Sequence, residues 1–485
     1  MGGVFVLSRR DRLQDDLFVA GSLRELIPED HILVRVDRVL DLSWLGSEVS
    51  GCYDLEQGRP AIDPEVAVRL MLAGLLSGIV HDRHLLREAQ VNLAIRWFMG
   101  YRLDEALPDH SSLSRIRSRW GASRFEAIFR RTVAACVEAG LVAGEVAHVD
   151  ASLIRADVSW ESLARAHASS VRSANADGSV EEEPAEDEDD GDGSPKRRGK
   201  RRGKRSRTDP DARMATSRRD HYLEPSYKQL TAVDGARGVV LDATVVRADV
   251  HEGATLLAQL DRVEAASGRR PGRVTADKAY AYSANYAALE ARGVEAVIAP
   301  QRARAARMPL SRFKYDAKHD LVRCPMGRRL RPAGRAGETG RFYRARRRDC
   351  DACRLQDICL SPTARSRAVI IQDGHAALVR ARRRHARGLA ADRAAHNRHR
   401  GLVEGVHGEA KTRHGLRRAM RRGLWNVQIQ AWLTAAAINL KRLAASLSLN
   451  DRLGRLITAR IRLSRTIRGI RTPTTTFFFA LHQPI

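Results

Sequence analysis

A chain of 485 residues is long enough for two or three domains with real cores, and its net charge of +26 points to a polyanionic partner, because neutralising phosphates releases counterions. No stretch approaches the roughly 18 uninterrupted apolar residues of a membrane span, and MGGVFVLSRRDRLQDD has too short an apolar run for a secretory signal, so a cytoplasmic protein without a membrane partner is expected. Six cysteines make no disulfide scaffold, and aromatics at 5% argue against a single-strand binder built on stacking platforms.

Residues 1–140 read as an all-α domain. DPEVAVRLMLAGLLSGI (63–79) opens with Asp63 as N-cap and Pro64 at the first helical position. A second helix is expected over Arg83–Met99. LPDHSSLSRIRSRW (107–120) then gives a turn and another helical start, with Asp109 or Ser111 as cap. The arginines of Ser114–Trp120 either lie on DNA or belong to short helices that only pack together.

Near residue 145 the pattern changes. Glu145–Ile154 is β-prone and contains Asp150. About 169–207 is an acidic then basic low-complexity insert from which no core can be built, and it is expected to be disordered. Pro225–Asp234 and Gly238–Val246 read as strands joined at Asp234-Gly235, a hairpin signal. A helix over Glu252–Ala266, a strand Arg273–Asp277 ending on a carboxylate, a helix over Ser283–Arg292 and a strand Val294–Ala299 follow.

That order matches an RNase H-like α/β core spanning 141–300: three antiparallel strands, then parallel strands flanked by helices. Residues 301–395 read as a basic insertion, poor in hydrophobic periodicity, carrying Cys324, Cys350, Cys353 and Cys359. These four either form a tetrahedral zinc site or are free thiols packed in a small subdomain. The chain is expected to turn helical again from Ala395 through 396–447, with a basic tail over 448–485.

Arg398–Arg422 holds two acids, Glu404 and Glu409, among eight Lys and Arg. On a regular helix, at about 100° per residue, Arg400, Glu404, His407 and Lys411 fall within roughly 60° of one another. Glu409 then faces the other way, and Glu409→Gln is expected to be nearly silent. One carboxylate among cations suits a metal ion beside a phosphate; the plain alternative is a solvated basic helix with i, i+4 pairs. Two-metal phosphoryl transfer needs further carboxylates, and Asp150 and Asp277, on neighbouring strands of the expected sheet, can project toward Glu404. Asp157 and Asp234 are rival acids.

Several ordered blocks resemble one family: GRPAIDPEVAVRLMLAGLL, RWFMGYRLDEALPDHSSLSRIRSRW, HVDASLIRADVS, TDPDARM, SYKQLTAVD, TADKAYAYSANY, CPMG with CDACRLQDIC, and RGLVEGVHGEAKTRHGLRRAMRRG. Over roughly residues 5–445 the chain resembles bacterial insertion-sequence transposases of the DDE class, in the group with a Tyr-Arg-Glu-Lys signature and its subgroup numbered eleven-eighty-two. The resemblance implies Asp150, Asp277 and Glu404 as catalytic acids holding Mg²⁺ or Mn²⁺, with Arg400 and Lys411 on phosphate. Asn397 stands where the signature has Tyr, and Asp157 where an Asn is more usual. It also implies double-stranded DNA as partner, a homodimer on paired ends, nucleoid association, and nicking followed by strand transfer. An inactive DNA-binding descendant and an RNase H-like nuclease without strand transfer are the alternatives.

Overall fold

The computed structural model describes residues 21–54, 61–158, 206, 208–215, 224–301 and 307–469, and the chain divides into two units, up to Gly121 and from Ala122. The expected acidic and basic insert and the last residues, 470–485, lie outside the described residues, apart from Ser206.

The first unit is helical: α1 (Ile32–Asp37), α2 (Leu45–Val49), α3 (Pro64–Leu76), α4 (Asp82–Val91), α5 (Leu93–Met99) and the start of α6 (His110–Glu138). Asp63 caps α3, accepting from the Glu65 amide at 2.7 Å, with Pro64 in the first turn. The single helix expected over Arg83–Met99 is two, because Asn92 leaves helical geometry and its side chain caps α5 through the Ile95 amide at 3.1 Å. Asp109 caps α6 through the Ser111 amide at 2.8 Å. Within the arginine-rich stretch, Arg117 is buried and grips Asp82 with two bonds of 2.7 and 2.8 Å, so it holds α6 to α4. Arg115 and Arg119 are exposed. The helix breaks at Gly121, whose φ of 68° a side chain would disfavour.

The second unit begins with the rest of α6 and a mixed sheet. Its strands are β1 (Val146–Arg155), β2 (Arg213–Ala215), β3 (Glu224–Asp234), β4 (Val240–Arg247), β5 (Arg273–Ala276) and β6 (Glu295–Ile298). β3 pairs antiparallel with β1 on one side and β4 on the other; β1, β5 and β6 run parallel, and the short β2 extends the end of β3. Asp234 serves the turn: its carboxylate accepts from the amides of Ala143, Gly144 and Ala236, which removes it as a rival site acid. Between the parallel strands lie α7 (Leu256–Ser267) and α8 (Ser283–Ala291).

Residues 301–395, poor in hydrophobic periodicity, nonetheless form regular structure. They hold a second, antiparallel sheet: β7 (Lys314–Asp316), β8 (Leu321–Arg323), β9 (Arg329–Arg335), β10 (Gly340–Ala345) and β11 (Ala368–Gln372), with the short helices α9 (Arg347–Asp351) and α10 (Gln356–Cys359) before β11. Phe313, Val322, Leu330, Tyr343, Val369 and Ile371 form its own core. Helix returns earlier than expected, with α11 (His375–Arg387) and α12 (Ala390–His399). Arg384 pins both to β6 by bonding Asp392 and Glu295.

After α12 the chain does not continue as one regular helix. It widens into a π-helical turn, Arg400–Glu404, then forms α13 (Gly405–Arg413). The last helix, α14 (Leu424–Gly469), lies along β4, an edge strand. Gln428 bonds the backbone of Ala243 and Val245, and Asn439, three turns on, both backbone groups of Val240. The open edge is thereby closed by side-chain amides. Asp209 and Asp211 meet the amides of Gly423 and Leu424 and so anchor the start of α14.

Candidate active site

Val149 pairs with Ala276 in the parallel β1–β5 ladder, so the next residues, Asp150 within β1 and Asp277 just past β5, stand at the same level on adjacent strands. Asp277 lies one residue past β5 and caps the turn Lys278–Tyr280, accepting from the Ala279 amide at 2.8 Å. The expected strand end thus becomes a cap that fixes the carboxylate. Asp150 accepts from its neighbour Ala151 at 2.8 Å. On its other side Asp150 stands opposite Thr231 of β3, and His407 of α13 spans the two. Its Nε2 is 3.0 Å from the Thr231 hydroxyl and its Nδ1 is 3.6 Å from the Asp150 carboxylate. The imidazole is buried, and desolvation pushes it down to about 3, so it stays neutral.

Asp150 is held well above the usual carboxylate range. Burial first, and then the carboxylates of Asp277, Glu252 and Glu404, push it up to about 7. Asp277 is raised too, by burial and by Glu252. Glu252 was not among the expected site residues. It starts the turn after β4 and is held by Lys228 at 3.0 Å. Gly253 makes that turn possible, since a Cβ there would fall 2.3 Å from the Tyr282 ring. Tyr280, fully buried, feels the same three acids (Glu252, Asp150 and Asp277), and its hydroxyl has no hydrogen-bond partner among the described residues.

Arg400, Glu404, His407 and Lys411 do not share one face as a regular helix would arrange them. Arg400 and Glu404 are outward, at 67% and 61% side-chain exposure, and pair at 3.4 Å; His407 points inward. The extra residue in the π-helical turn shifts the phase between the two pairs. Lys411 is lowered by burial and by Arg417, with Asp150 acting in the other direction. Asp157, the other rival acid, is spent on Arg418 at 3.2 Å.

Glu409 does face away from Arg400, but it is not idle. Its carboxylate meets Lys441, Arg442 at 2.8 Å and His414 at 3.6 Å. Burial works against its charge, yet the bonds from His414, Lys441 and Arg442 hold it well below the usual carboxylate range. Glu409 joins α13 to α14, so its loss bears on folding, while the expectation that turnover barely changes stands as a prediction.

The donors at Asp150 and Asp277 are hard oxygens, mutually repelling and beside an orphaned buried hydroxyl, which suits a divalent cation that keeps several waters. Among the described residues no three His, Cys, Asp or Glu side chains converge closely enough to hold a metal as they stand. That includes the thiols. Cys324, Cys350, Cys353 and Cys359 do line one cavity of about 30 Å³, and Cys350 and Cys359 are raised by burial and by their neighbouring thiols.

A family model described as Transposase domain (DUF772) matches residues 21–119, and one described as Transposase DDE domain matches residues 323–444. The chain is thus similar to transposase domains over two separate stretches. Together they support an enzyme acting on DNA, a transposase of the insertion-sequence DDE kind. The first match falls within the helical first unit; the second holds Glu404, Lys411 and the four cysteines, and starts after Asp150 and Asp277. No curated protein matches the chain. Among the described residues no helix is long and apolar enough to cross a membrane.

Nothing in the spacing of the sequence marks Glu252, Lys228 or Tyr280 as members of this site. They join it only through the sheet order, in which β3 and β5 flank β1 and β4 lies beyond β3.

Proposed function

We propose that this protein is an insertion-sequence transposase that cleaves DNA at the element's ends and joins the freed 3′-hydroxyl to target DNA. One observation carries the reading: Asp150 within β1 and Asp277 just past β5 stand at the same level of adjacent parallel strands, and a returning helix packs His407 against the half-buried Asp150. The strand order β4-β3-β1-β5-β6 supports an RNase H-like core. The Arg400–Glu404–Lys411 spacing supports the Tyr-Arg-Glu-Lys group and the eleven-eighty-two subgroup, with Asn397 in place of the tyrosine.

Asp150, Asp277 and Glu404 would hold Mg²⁺ or Mn²⁺. Divalent ions, when bound, supply Lewis-acid activation of the attacking oxygen and stabilisation of the leaving one. Neutral His407 holds Asp150 in place through Thr231, and Lys228 does the same for Glu252. Arg400 swings from Glu404 to a phosphate oxygen, where its guanidinium can grip two oxygens, and Lys411 adds a point charge. In the first step water attacks the scissile phosphorus and the bond to the 3′ oxygen breaks. In the second that hydroxyl attacks a target phosphorus and displaces another 3′ oxygen. The first unit would contribute DNA contacts through its exposed arginines, and a dimer would pair two ends. Zn²⁺ on the four cysteines would brace the second sheet, a role suited to thiolate ligands.

The deciding experiment is metal-dependent cleavage of a labelled duplex carrying the element's own end, comparing wild type with Glu404→Gln. Cutting by wild type alone supports the reading, and joined products separate a transposase from a plain nuclease. Tight binding without cutting by either protein supports an inactive DNA-binding relic instead.

A further inference from the structure

The second sheet has two unlike faces. One buries Val322, Leu330, Tyr343, Val369 and Ile371. On the other, cations stand directly opposite one another across four strands. Arg344 of β10 pairs with Arg331 of β9; two residues along β9, Arg329 pairs with Arg323 of β8, which pairs in turn with Lys314 of β7. None of these five makes an ion pair or side-chain hydrogen bond among the described residues, and all but the half-buried Arg323 are exposed. Asp316, an acid on the same face at the edge strand, is engaged by His319 at 2.9 Å.

Like charges directly opposite one another destabilise a sheet. A lone edge lysine is an ordinary guard against strand addition, which accounts for Lys314 but not for β9, the central strand. Compositional bias toward arginine accounts for number, not for alignment: salt-bridged arginines elsewhere in this unit, such as Arg262 with Asp242 and Arg273 with Glu295, have found acids. A repelling array kept on one face acquires a reason when a polyanion lies across it. At about 4.8 Å between strands, the array from β10 to β7 is about 14 Å wide. An array of that width can meet several phosphates of one DNA strand at once.

We infer that the outer face of this sheet is a docking surface for the phosphate backbone of duplex DNA, read without regard to sequence. The choice of DNA rests on the transposase reading; the face itself rests on the array. Phosphate contacts of this kind fix where a protein sits on a duplex and set its salt dependence, while base contacts carry the sequence.

The test uses the full chain and a fluorescent duplex of arbitrary sequence, with affinity measured across a salt series. Three charges are removed on the face (R329Q, R331Q, R344Q) and, as a control, three exposed arginines off it (R354Q, R383Q, R387Q). The face triple is expected to flatten the slope of log affinity against log salt by about 2.7, at roughly 0.9 per lost contact, and to weaken binding at least about tenfold at 100 mM salt. The control should change both much less. A face triple of lysines (R329K, R331K, R344K) should keep the slope, and the glutamine triple should melt no lower than wild type, since it relieves repulsion. Equal loss in the two glutamine triples, no loss in the face triple, or loss in the lysine triple equal to that of glutamine would each overturn the inference. So would tighter binding to a structured RNA or to anionic vesicles that the same three arginines control. If wild type binds no duplex, the transposase reading falls with it; if wild type binds and the face triple binds equally, only the docking face falls.

Discussion

Two carboxylate clusters flank α13, and they are built on opposite principles. On one side Asp150, Asp277 and Glu252 are gathered, and burial first and then the neighbouring carboxylates push Asp150 up to about 7. On the other side Glu409 alone is met by Lys441, Arg442 and His414 and is held well below the usual range. The first cluster is unsatisfied as it stands and gains only when a cation joins it; the second is complete. An incomplete cluster costs stability and is therefore the one to read as functional, whereas a complete one fastens two helices. The same contrast separates the repelling arginines of the second sheet from the paired arginine that fastens α11 and α12 to β6.

The sharpest way to break this comparison is to neutralise the incomplete cluster. Asp150→Asn, Asp277→Asn and Glu404→Gln should each lower cleavage by roughly 10³-fold or more, the scale for a group acting as part of a unit. Duplex binding should stay within several-fold. Because Asp150 sits uncompensated, Asp150→Asn should melt at or above the wild-type temperature. A variant that cuts at full rate removes its residue from the site, and a large drop in melting temperature for Asp150→Asn would show that the cluster is structural.

A smaller effect is expected one step out. His407→Gln keeps a polar side chain but loses the ring that spans Thr231 and Asp150 at 3.0 and 3.6 Å. Losing such an outer partner costs about 10–100-fold in metal affinity or activity. A rise in the Mg²⁺ concentration needed for half-maximal cutting, with near-normal rate at saturation, would assign His407 to positioning Asp150. An unchanged Mg²⁺ requirement would confine it to packing. The thiols pose the matching question on the second sheet. About one zinc per chain by elemental analysis, lost together with order in that sheet on chelation, is the expected result; a folded, zinc-free protein would leave the cysteines a packing role.

How much of this was legible beforehand follows from how local each signal is. Asp150 and Asp277 were found because each sits at the middle or end of an apolar run with strand periodicity, and the Asp234-Gly235 turn marks the hairpin that fixes their sheet. Asp63 and Pro64 likewise announce α3 within two residues. The second sheet leaves little signal because its strands are as short as three residues, and in β9 a single apolar Leu330 stands between two arginines. The widening at Arg400–Glu404 has no signal in residue type, so the helical phase drawn through it failed for His407. Glu252, Lys228 and the capping acids Asp209 and Asp211 act across distances that only the sheet order and the path of α14 create.

The least effect on turnover is expected at Glu409, and that is what makes it informative. Glu409→Gln leaves Lys441 and Arg442 facing an amide, at side-chain exposures of 20% and 29%, so part of their charge can still reach water. The loss in folding stability should be about 2 kcal/mol at neutral pH, below the 3–5 kcal/mol of a fully buried pair. Because the folded carboxyl is depressed, its contribution is fully present above the unfolded value of about 4.3 and disappears as pH falls through the depressed one. Urea melts of wild type and variant should therefore differ most at pH 6–7 and converge progressively below about pH 4. Cleavage per folded molecule should stay near wild type throughout. A variant that folds as stably as wild type at neutral pH would mean the complete cluster fastens nothing. One that folds well but cannot cut would move Glu409 into the active site and erase the distinction between the two sides of α13.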